Sequence, residues 1–207
     1  MFKKMLLGTV IALAASLGSS TADAAYWTTW VSEEGGSPQT FCSYWNQAAT
    51  GFGCSGSYCD WVRLECENMP YGTTLDASTD YWTGWFSEES DGIEETIFDS
   101  TYLWPTFDEN FANCQYGGYH AGLVSGVRCS GSYCDSINLE CTQPVKVRGD
   151  NTIAPVSVTN CSWTTNWYSE EQGSQDFGAN RFIVGVECGG SYCDNKRYHL
   201  CSLVDPG

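Results

Sequence analysis

The chain alternates short runs rich in Thr, Trp, Tyr, Phe and Val with turn-forming clusters such as Gly-Gly, Ser-Gly-Ser and Asp-Gly. Runs of this kind, bounded by turn residues, are typical of β-strands. Trp61–Cys66 and Ile183–Cys188 are two examples, and each has an ordinary strand length. Beyond the N-terminal segment, no window repeats its hydrophobic residues with the period of a helix. The pattern therefore predicts an all-β protein.

Three segments of the chain carry the same order of motifs. A tryptophan-rich stretch ends in Ser-Glu-Glu, and a Cys-x-Gly-Ser-Tyr-Cys-Asp stretch follows it. The tryptophan-rich stretches are Tyr26–Glu34, Tyr81–Glu89 and Ser162–Glu171, and the cysteine-rich stretches are Gly51–Cys66, Gly126–Cys141 and Gly185–Cys201. A match of this length in three places indicates a triplicated unit. The predicted organisation is a signal peptide (1–24), repeat one (25–66), a connector (67–80), repeat two (81–141), a second connector (142–160) and repeat three (161–207).

Each repeat is small for an independent domain, so it needs disulfides or the other repeats to be stable. The three copies can close around a pseudo-threefold axis as one β-prism-like or trefoil-like domain, or they can form three disulfide-rich beads. The connectors contain Pro70, Pro144 and Pro155 beside Gly, Thr and Asp, so we expect them to be loops. Because these loops are short enough for closure, we favour the single closed domain.

The 12 cysteines divide equally among the repeats. The second and third cysteines of each repeat keep the same spacing, whereas the first and fourth both shift in repeat three. Cysteines that shift together are the expected partners. The predicted pairs are Cys42–Cys66, Cys54–Cys59, Cys114–Cys141, Cys129–Cys134, Cys161–Cys201 and Cys188–Cys193. Zinc is disfavoured because Cys-x4-Cys, with no histidine nearby in two copies, does not match the usual zinc-binding spacing.

The N-terminus and the charge balance indicate where the protein acts. Lys3 and Lys4, the apolar stretch Met5–Leu17 and Ala22-Asp23-Ala24 follow the plan of a secretory signal peptide. We therefore expect a secreted or periplasmic protein, cleaved near Ala24, with no membrane insertion, because the apolar stretch is too short to span a bilayer. Its many cysteines suit an oxidising compartment. A formal net charge of -16 argues against nucleic acid and anionic membranes as partners.

Tryptophans and an aromatic insertion are the candidate ligand-binding residues. In repeats one and two the paired tryptophans are three residues apart, which on a strand places them on opposite faces. One ring can then pack in the core while the other contacts a ligand, and sugar-stacking platforms are one use for such rings. The candidates are Trp30, Trp85 and Trp167, together with Tyr102, Trp104 and Phe107 from the aromatic insertion in repeat two (91–118).

Acidic residues recur at matching positions, and no basic residue occupies an equivalent position in all three copies. Salt bridges therefore do not explain them. They are candidate acceptors for backbone N–H groups in turns, or oxygen ligands for calcium. The candidate calcium ligands are Glu33, Glu34, Asp60, Glu88, Glu89, Asp135, Glu170, Glu171 and Asp194.

Catalysis has little support in the sequence. The two histidines, His120 and His199, lie in no recognisable catalytic motif, and no phosphate-binding glycine loop is present. Arg148-Gly149-Asp150 matches an integrin-binding tripeptide, but three-residue matches are common by chance.

The W-x-S-E-E and C-x-G-x-Y-C-D-N-x-x-x-L-x-C motifs resemble a cysteine-rich module that recurs in secreted bacterial proteins. Residues 188–201 match it best, with one extra residue before the last cysteine, whereas Trp61 and Ser136 replace the Asn in the other copies. The resemblance covers most of the chain and implies a bacterial, exported accessory module, without an activity.

These observations favour a secreted, non-catalytic binding module, lectin-like or adhesive, whose partner is a glycan or a cell-surface protein. A weak site used three times gains from avidity, which gives triplication a purpose. Two alternatives stay open: a secreted protease inhibitor or toxin-like effector that acts through the insertion, and a structural envelope protein. Calcium is the one candidate cofactor.

Overall fold

The computed structural model describes residues 25–35, 38–87, 110–115 and 122–204. The predicted signal peptide and most of the insertion lie outside them. Within these ranges the chain forms strands and short 3-10 turns and no α-helix, which confirms the all-β prediction. The strands in chain order are β1 (Tyr26–Trp27), β2 (Gln39–Phe41), β3 (Gln47–Ser55), β4 (Trp61–Asn68), β5 (Thr73–Trp82), β6 (Phe111–Asn113), β7 (Leu123–Ser130), β8 (Ser136–Val147), β9 (Ile153–Pro155), β10 (Val158–Trp163), β11 (Gln175–Asp176), β12 (Phe182–Gly189) and β13 (Asn195–Leu203).

Each repeat contains one long antiparallel hairpin, and its two strands are joined by a Ser-Tyr-Cys turn. The hairpins are β3–β4, β7–β8 and β12–β13. In repeat one, Gly56 (φ 81°) and Tyr58 (φ 57°) both adopt left-handed backbone conformations, and the other two copies repeat this geometry. This left-handed conformation is unfavourable for a tyrosine, so the packing around the turn must stabilise it. The three turns contact one another at one end of the molecule.

One strand of each repeat leaves its own hairpin and pairs with the hairpin of another repeat. β2 of repeat one pairs with β7, β6 of repeat two pairs with β12, and β11 of repeat three pairs with β3. The exchange is cyclic, because every repeat donates one strand and every hairpin receives one. The repeats are therefore not independent beads.

The residue after each exchanged strand fixes it to the receiving hairpin through a backbone hydrogen bond. The donors and acceptors are Cys42 N to Ser125 O, Cys114 N to Val184 O and Phe177 N to Thr50 O. In repeats one and two this residue is a cysteine that is also bridged to its own repeat. Repeat three has Phe177 instead, whose ring lies 6.0 Å from that of Tyr168 and 5.1 Å from that of Tyr198. Aromatic packing thus replaces the disulfide, which explains why the first cysteine of repeat three has moved.

The connectors are strands over much of their length, so the loop prediction is wrong. β5 begins at Thr73 in the first connector, and the end of β8 with β9 and β10 fills most of the second. Thr74 pairs with Val145 and Leu75 with Pro144, so these segments widen one sheet. Pro155 lies in the short strand β9, where a missing N–H is tolerated.

The core is built from all three repeats. Phe52 of repeat one and Tyr198 of repeat three are both buried, with ring centroids 5.5 Å apart. Val127 and Leu139 of repeat two belong to the same cluster. Burying side chains of this size stabilises the fold by about 1.5–3 kcal/mol each. This main cluster therefore draws on all three repeats, and a second, smaller cluster, which includes Ala48, Leu123 and Phe182, does so as well.

All 12 cysteines are disulfide-bonded. The pairs are the same as those that the spacing predicts: Cys42–Cys66, Cys54–Cys59, Cys114–Cys141, Cys129–Cys134, Cys161–Cys201 and Cys188–Cys193. So many disulfides are typical of a protein that folds in an oxidising compartment. Over the described ranges, no helix is long and apolar enough to cross a membrane.

Candidate functional site

The most regular surface feature of the molecule is a sandwich of two tryptophan rings around one arginine, present in every repeat. The three stacks are Trp27–Arg63–Trp30, Trp82–Arg128–Trp85 and Trp163–Arg197–Trp167. The guanidinium carbon lies between 4.2 and 5.3 Å from each ring centroid. A cation this close to an aromatic face is attracted by about 0.5–2 kcal/mol, depending on its desolvation. Each stack is therefore a rigid unit on the surface of its hairpin.

The arginine comes from different strands in different repeats, which is why comparison along the sequence misses it. Each hairpin places two residues opposite each other beneath the tryptophans, and one of the two is an arginine. The cross-strand pairs are Gly53 with Arg63, Arg128 with Asn138, and Glu187 with Arg197. Arg63 and Arg197 match in sequence as well, each on the second strand of its hairpin, whereas Arg128 lies on the first strand and is equivalent to them only in space. Aligning the two strands of each hairpin, rather than the three repeats, would have revealed them.

The stacks correct the prediction that paired tryptophans lie on opposite faces of a strand. β1 ends at Trp27, and the chain then follows β4 less regularly: Thr28 N donates to Leu64 O, and Val31 N donates to Val62 O. Because residues 28–30 are not in a strand, the two-residue alternation does not apply to them. Both rings consequently cover the same arginine.

No tryptophan in the described ranges belongs to the buried core, so the expectation that one ring of each pair fills the interior is also wrong. The second ring of each pair forms the outer end of its stack. Trp85 is 48% exposed and Trp167 is 40% exposed, while Trp30 is half-buried. These are the three predicted ligand-binding tryptophans, and each presents aromatic surface to solvent.

The stack of repeat three continues beyond Trp163. The His199 ring stacks on the Trp163 ring with centroids 4.9 Å apart, and Phe111 of β6 meets Trp163 edge-on at 6.0 Å. Asn113 Nδ2 lies 3.0 Å from His199 Nδ1. Burial lowers the pKa of His199, so its ring is neutral at pH 7. The exchanged strand of repeat two thus contributes directly to this stack.

An open groove of about 720 Å³ lies beside Trp163. Its lining combines amide, charged and aromatic side chains: Asn110, Phe111, Asn113, Gln115, Trp163, Glu187 and Arg197. Arg197 Nε donates to Glu187 Oε2 at 2.5 Å, which fixes both charged groups at the wall. The groove offers hydrogen-bond donors and acceptors next to ring surface.

The acidic triplet of repeat one binds the turn of repeat two. Glu33 Oε1 accepts the Tyr133 N–H at 2.8 Å, and Glu33 Oε2 accepts the Cys134 N–H at 3.1 Å. The role of turn acceptor, one of the two candidate roles for these acids, is therefore present at Glu33. The rings of Tyr58, Tyr133 and Tyr192 meet beside these turns with centroids 5.1 to 5.8 Å apart.

The structure brings together some of the candidate calcium ligands. Burial raises the pKa of Asp60, and the neighbouring charges of Glu33 and Glu34 raise it further. Asp135 and Asp194 occupy the position of Asp60 in their own turns. Glu170 and Glu171 lie in a separate turn, where Gly173 N donates to Glu170 O and Glu171 N donates to Ser169 Oγ. Glu88 and Glu89 lie outside the described residues.

One group of three close metal-ligand atoms from His, Cys, Asp or Glu is found in the described part of the chain. It joins Glu33 to Cys129 and Cys134, whose sulfurs are bonded to each other. Because only thiolate sulfur binds metal well, this group is a turn closed by a disulfide and not a metal centre.

Two other features noted in the sequence complete the comparison. Tyr102, Trp104 and Phe107 lie outside the described residues. Arg148, Gly149 and Asp150 form an exposed turn between β8 and β9, where Asp150 Oδ1 accepts the Thr152 N–H at 3.0 Å.

Comparisons with protein-family models, with curated proteins and with solved structures found no match. The function must therefore be argued from the geometry of the stacks and the groove.

Removing the cation from one stack should destabilise the protein. For Arg128→Met, which keeps most of the side-chain volume, we expect the free energy of unfolding to fall by about 1 kcal/mol, because two ring contacts with a cation are lost. Urea unfolding at neutral pH measures the change. Arg148→Met, in the exposed turn after β8, is the matched control and should leave stability within about 0.5 kcal/mol of wild type. An equal effect of both substitutions would show that the stack contributes nothing.

Proposed function

We propose that this protein is an exported, non-catalytic carbohydrate-binding module that uses one tryptophan-arginine stack per repeat. The observation that carries the proposal is the tryptophan at the outer end of each stack, which is exposed by 48% at Trp85 and by 40% at Trp167. A flat aromatic face suits the apolar face of a sugar ring, and the stack holds the ring in place before the ligand arrives. Preorganisation of this kind lowers the entropic cost of binding.

The groove in repeat three supports the same ligand class. Sugars need several hydrogen bonds beside an aromatic surface, and small-molecule sites combine apolar walls with a few placed polar groups. Asn110, Asn113 and Gln115 supply amides next to Trp163. Of the three stacks, this one then carries the most polar contacts to a ligand.

Triplication follows naturally from weak individual sites. The cyclic exchange of strands supports closure of the three sheets around a pseudo-threefold axis, which would present the three stacks at equivalent positions. Several weak contacts with a multivalent glycan then add up by avidity. Export is supported by the N-terminal sequence and the disulfides.

A glycan array probed with the mature chain tests the proposal. We expect binding to a subset of glycans, and we expect the triple variant Trp30→Ala, Trp85→Ala, Trp167→Ala to lose it by tenfold or more. Trp45→Ala is the matched control, because Trp45 is 78% exposed but lies outside the stacks. Circular dichroism of the triple variant separates lost binding from lost folding, and Trp→Phe at the same positions should retain part of the binding.

Three results would overturn the proposal. The first is a wild-type protein that binds no glycan on the array. The second is a folded triple variant that binds as well as wild type, and the third is a Trp45→Ala variant that loses binding. Protease inhibition that disappears in the variant Tyr102→Ala, Trp104→Ala, Phe107→Ala would replace the proposal with the inhibitor alternative.

A further inference from the structure

Two acids from different repeats meet where β11 of repeat three joins the hairpin of repeat one. Asp176 of β11 pairs with Gly51 of β3, and Gly51 pairs on its other side with Glu65 of β4. The three residues form a row across adjacent strands with no side chain in the middle. A Cβ on Gly51 would lie 2.7 Å from Glu65 Oε2 and 2.5 Å from Gln175 O, so these oxygens occupy the space above the glycine. We call Glu65, Asp176 and Gln175 O the acidic junction.

Two buried oxygens in or next to the acidic junction accept no hydrogen bond from an N–H or O–H group of the described residues. Glu65 is 7% exposed, and no described residue donates a hydrogen bond to its Oε2. Thr50, the residue before Gly51, is fully buried, and its Oγ1 likewise has no hydrogen-bond partner among the described residues. Leaving a buried polar atom unpaired costs about 1–3 kcal/mol, and more for a charged one. The pair of unpartnered oxygens therefore points to a ligand.

The matching junctions in the other repeats are satisfied by the protein itself. In repeat two, Glu140 Oε2 accepts a hydrogen bond from Ser125 Oγ at 2.9 Å, and the residue in the place of Asp176 is Phe41. In repeat three, His199 replaces the glutamate and contacts Asn113. Only repeat one, among the three, has a carboxylate at both outer positions of this cross-strand row.

The local charge favours a cation. Burial first, then the charge of Asp176 and its hydrogen bond to Glu65, and then the charge of Glu67 together raise the pKa of Glu65 to about 7, against the lowering effect of Arg63. Arg63 lies between its two tryptophans, and it donates a hydrogen bond to Ser174 Oγ at 3.0 Å rather than to Glu65 Oε2. Asp176 Oδ1 accepts the Gly178 N–H at 2.6 Å, which orients that carboxylate. A bound cation would balance the charge of the two carboxylates once both are ionised.

We propose that the acidic junction binds a divalent cation, Ca²⁺, which ties the exchanged strand β11 of repeat three to the hairpin of repeat one. The candidate donors are all oxygen: two carboxylates and the Gln175 carbonyl, with the Thr50 hydroxyl at the bulge position from which Ser125 reaches Glu140 in repeat two. Calcium takes six to eight oxygen ligands in flexible geometry and accepts water for the remainder, whereas zinc prefers nitrogen and sulfur. The site differs from the acidic triplets, because none of its residues belongs to a Ser-Glu-Glu motif.

Calorimetric titration of the chelator-treated mature protein with CaCl2 tests the site. We expect wild type to bind calcium with a stoichiometry of one at this site and to melt at a higher temperature in its presence. Glu65→Gln and Asp176→Asn should each weaken binding by tenfold or more and abolish the melting shift. Glu140→Gln is the matched control, because Glu140 holds the same register without an opposing acid, and it should bind as wild type does.

Two results would contradict calcium binding at the acidic junction. Wild type without a calcium-dependent heat or melting shift would overturn the proposal. So would a melting shift that survives both Glu65→Gln and Asp176→Asn but disappears in Asp60→Asn, since the ion would then sit at the triplets. Glu65→Gln removes a buried charge and so should fold, which keeps the comparison interpretable, and near-ultraviolet circular dichroism checks this.

Discussion

Replacing both Cys42 and Cys66 with alanine should lower the free energy of unfolding by about 3 kcal/mol. The bridge closes a loop with a sequence separation of 24 and anchors β2, which pairs with the hairpin of repeat two, to β4 of its own repeat. Without it the unfolded chain gains freedom, and the exchanged strand keeps only its backbone pairing. Urea unfolding under non-reducing conditions measures the loss. Amide exchange at Gln39–Phe41 should accelerate more than exchange in β3.

The short bridge of the same repeat is the control. Cys54–Cys59 spans a separation of 5, so its removal should cost less, about 2 kcal/mol in the chain-entropy estimate. It closes the Ser-Tyr-Cys turn and holds no exchanged strand. If the short-bridge variant loses more stability than the long-bridge variant, or if β2 exchanges no faster, then the long bridges do not anchor the exchanged strands.

In the presence of a chelator, wild type should lose about 1–2 kcal/mol of stability relative to Glu65→Gln as the pH rises from about 4 to 8. The pKa of Glu65 is raised from 4.5 to about 7 in the folded protein, first by burial and then by Asp176 and Glu67, against the smaller opposite effect of Arg63. Solvent near the exposed Asp176 screens part of the interaction, so we expect less than the full shift would give.

The direction follows from proton binding. Between about 4.5 and 7 the folded state keeps a proton on Glu65 that the unfolded state has released. The associated stability is therefore fully present below the unfolded pKa and is lost as the pH rises through the folded one. Urea unfolding of wild type and Glu65→Gln across this range measures the difference between their free energies of unfolding. The contributions of the other titrating groups are common to both proteins and cancel in this difference. Parallel curves would show that Glu65 titrates normally, and Asp176→Asn should shrink the difference.

Local patterns in the sequence predict much of the fold. The all-β class follows from the short runs of β-forming residues, and the disulfide pairs follow from which cysteines shift together in repeat three. Both inferences use short-range information: the composition of a strand, or the spacing within one repeat. The shift itself had a structural cause, because Phe177 holds by packing what Cys42 and Cys114 hold by a bridge.

Features that depend on pairing between distant strands could not be predicted in this way. The connectors read as loops because their prolines suggest turns, yet β5 and β8 pair through this region. The tryptophans fall on one face because the chain leaves the extended conformation after Trp27, which no alternation rule anticipates. Arg63 and Arg128 are equivalent only once the register of each hairpin is known.

Only part of the candidate site could be predicted, again because the rest depends on pairing between distant strands. Trp30, Trp85 and Trp167 were selected because they recur, and recurrence is visible in the sequence. The acidic junction involves Glu65, which has a counterpart in Glu140, and Asp176, which has no acidic counterpart, and the two meet only through strand exchange. A search for repeated acids therefore selects the triplets and overlooks the one pair that faces across two repeats.

Strand exchange also sets the order in which the sheets can be completed as the chain is synthesised. β2 and β6 each precede the hairpin that receives them, so both sheets can form as soon as that hairpin appears. The outer edge of β3, in contrast, is covered only when β11 has been synthesised, because β11 lies in the last repeat. The edge of β3 is thus the last to be covered, and an uncovered edge can pair with another chain. Until β11 pairs with β3, Glu65 and Glu67 on the neighbouring strand place negative charge beside that edge.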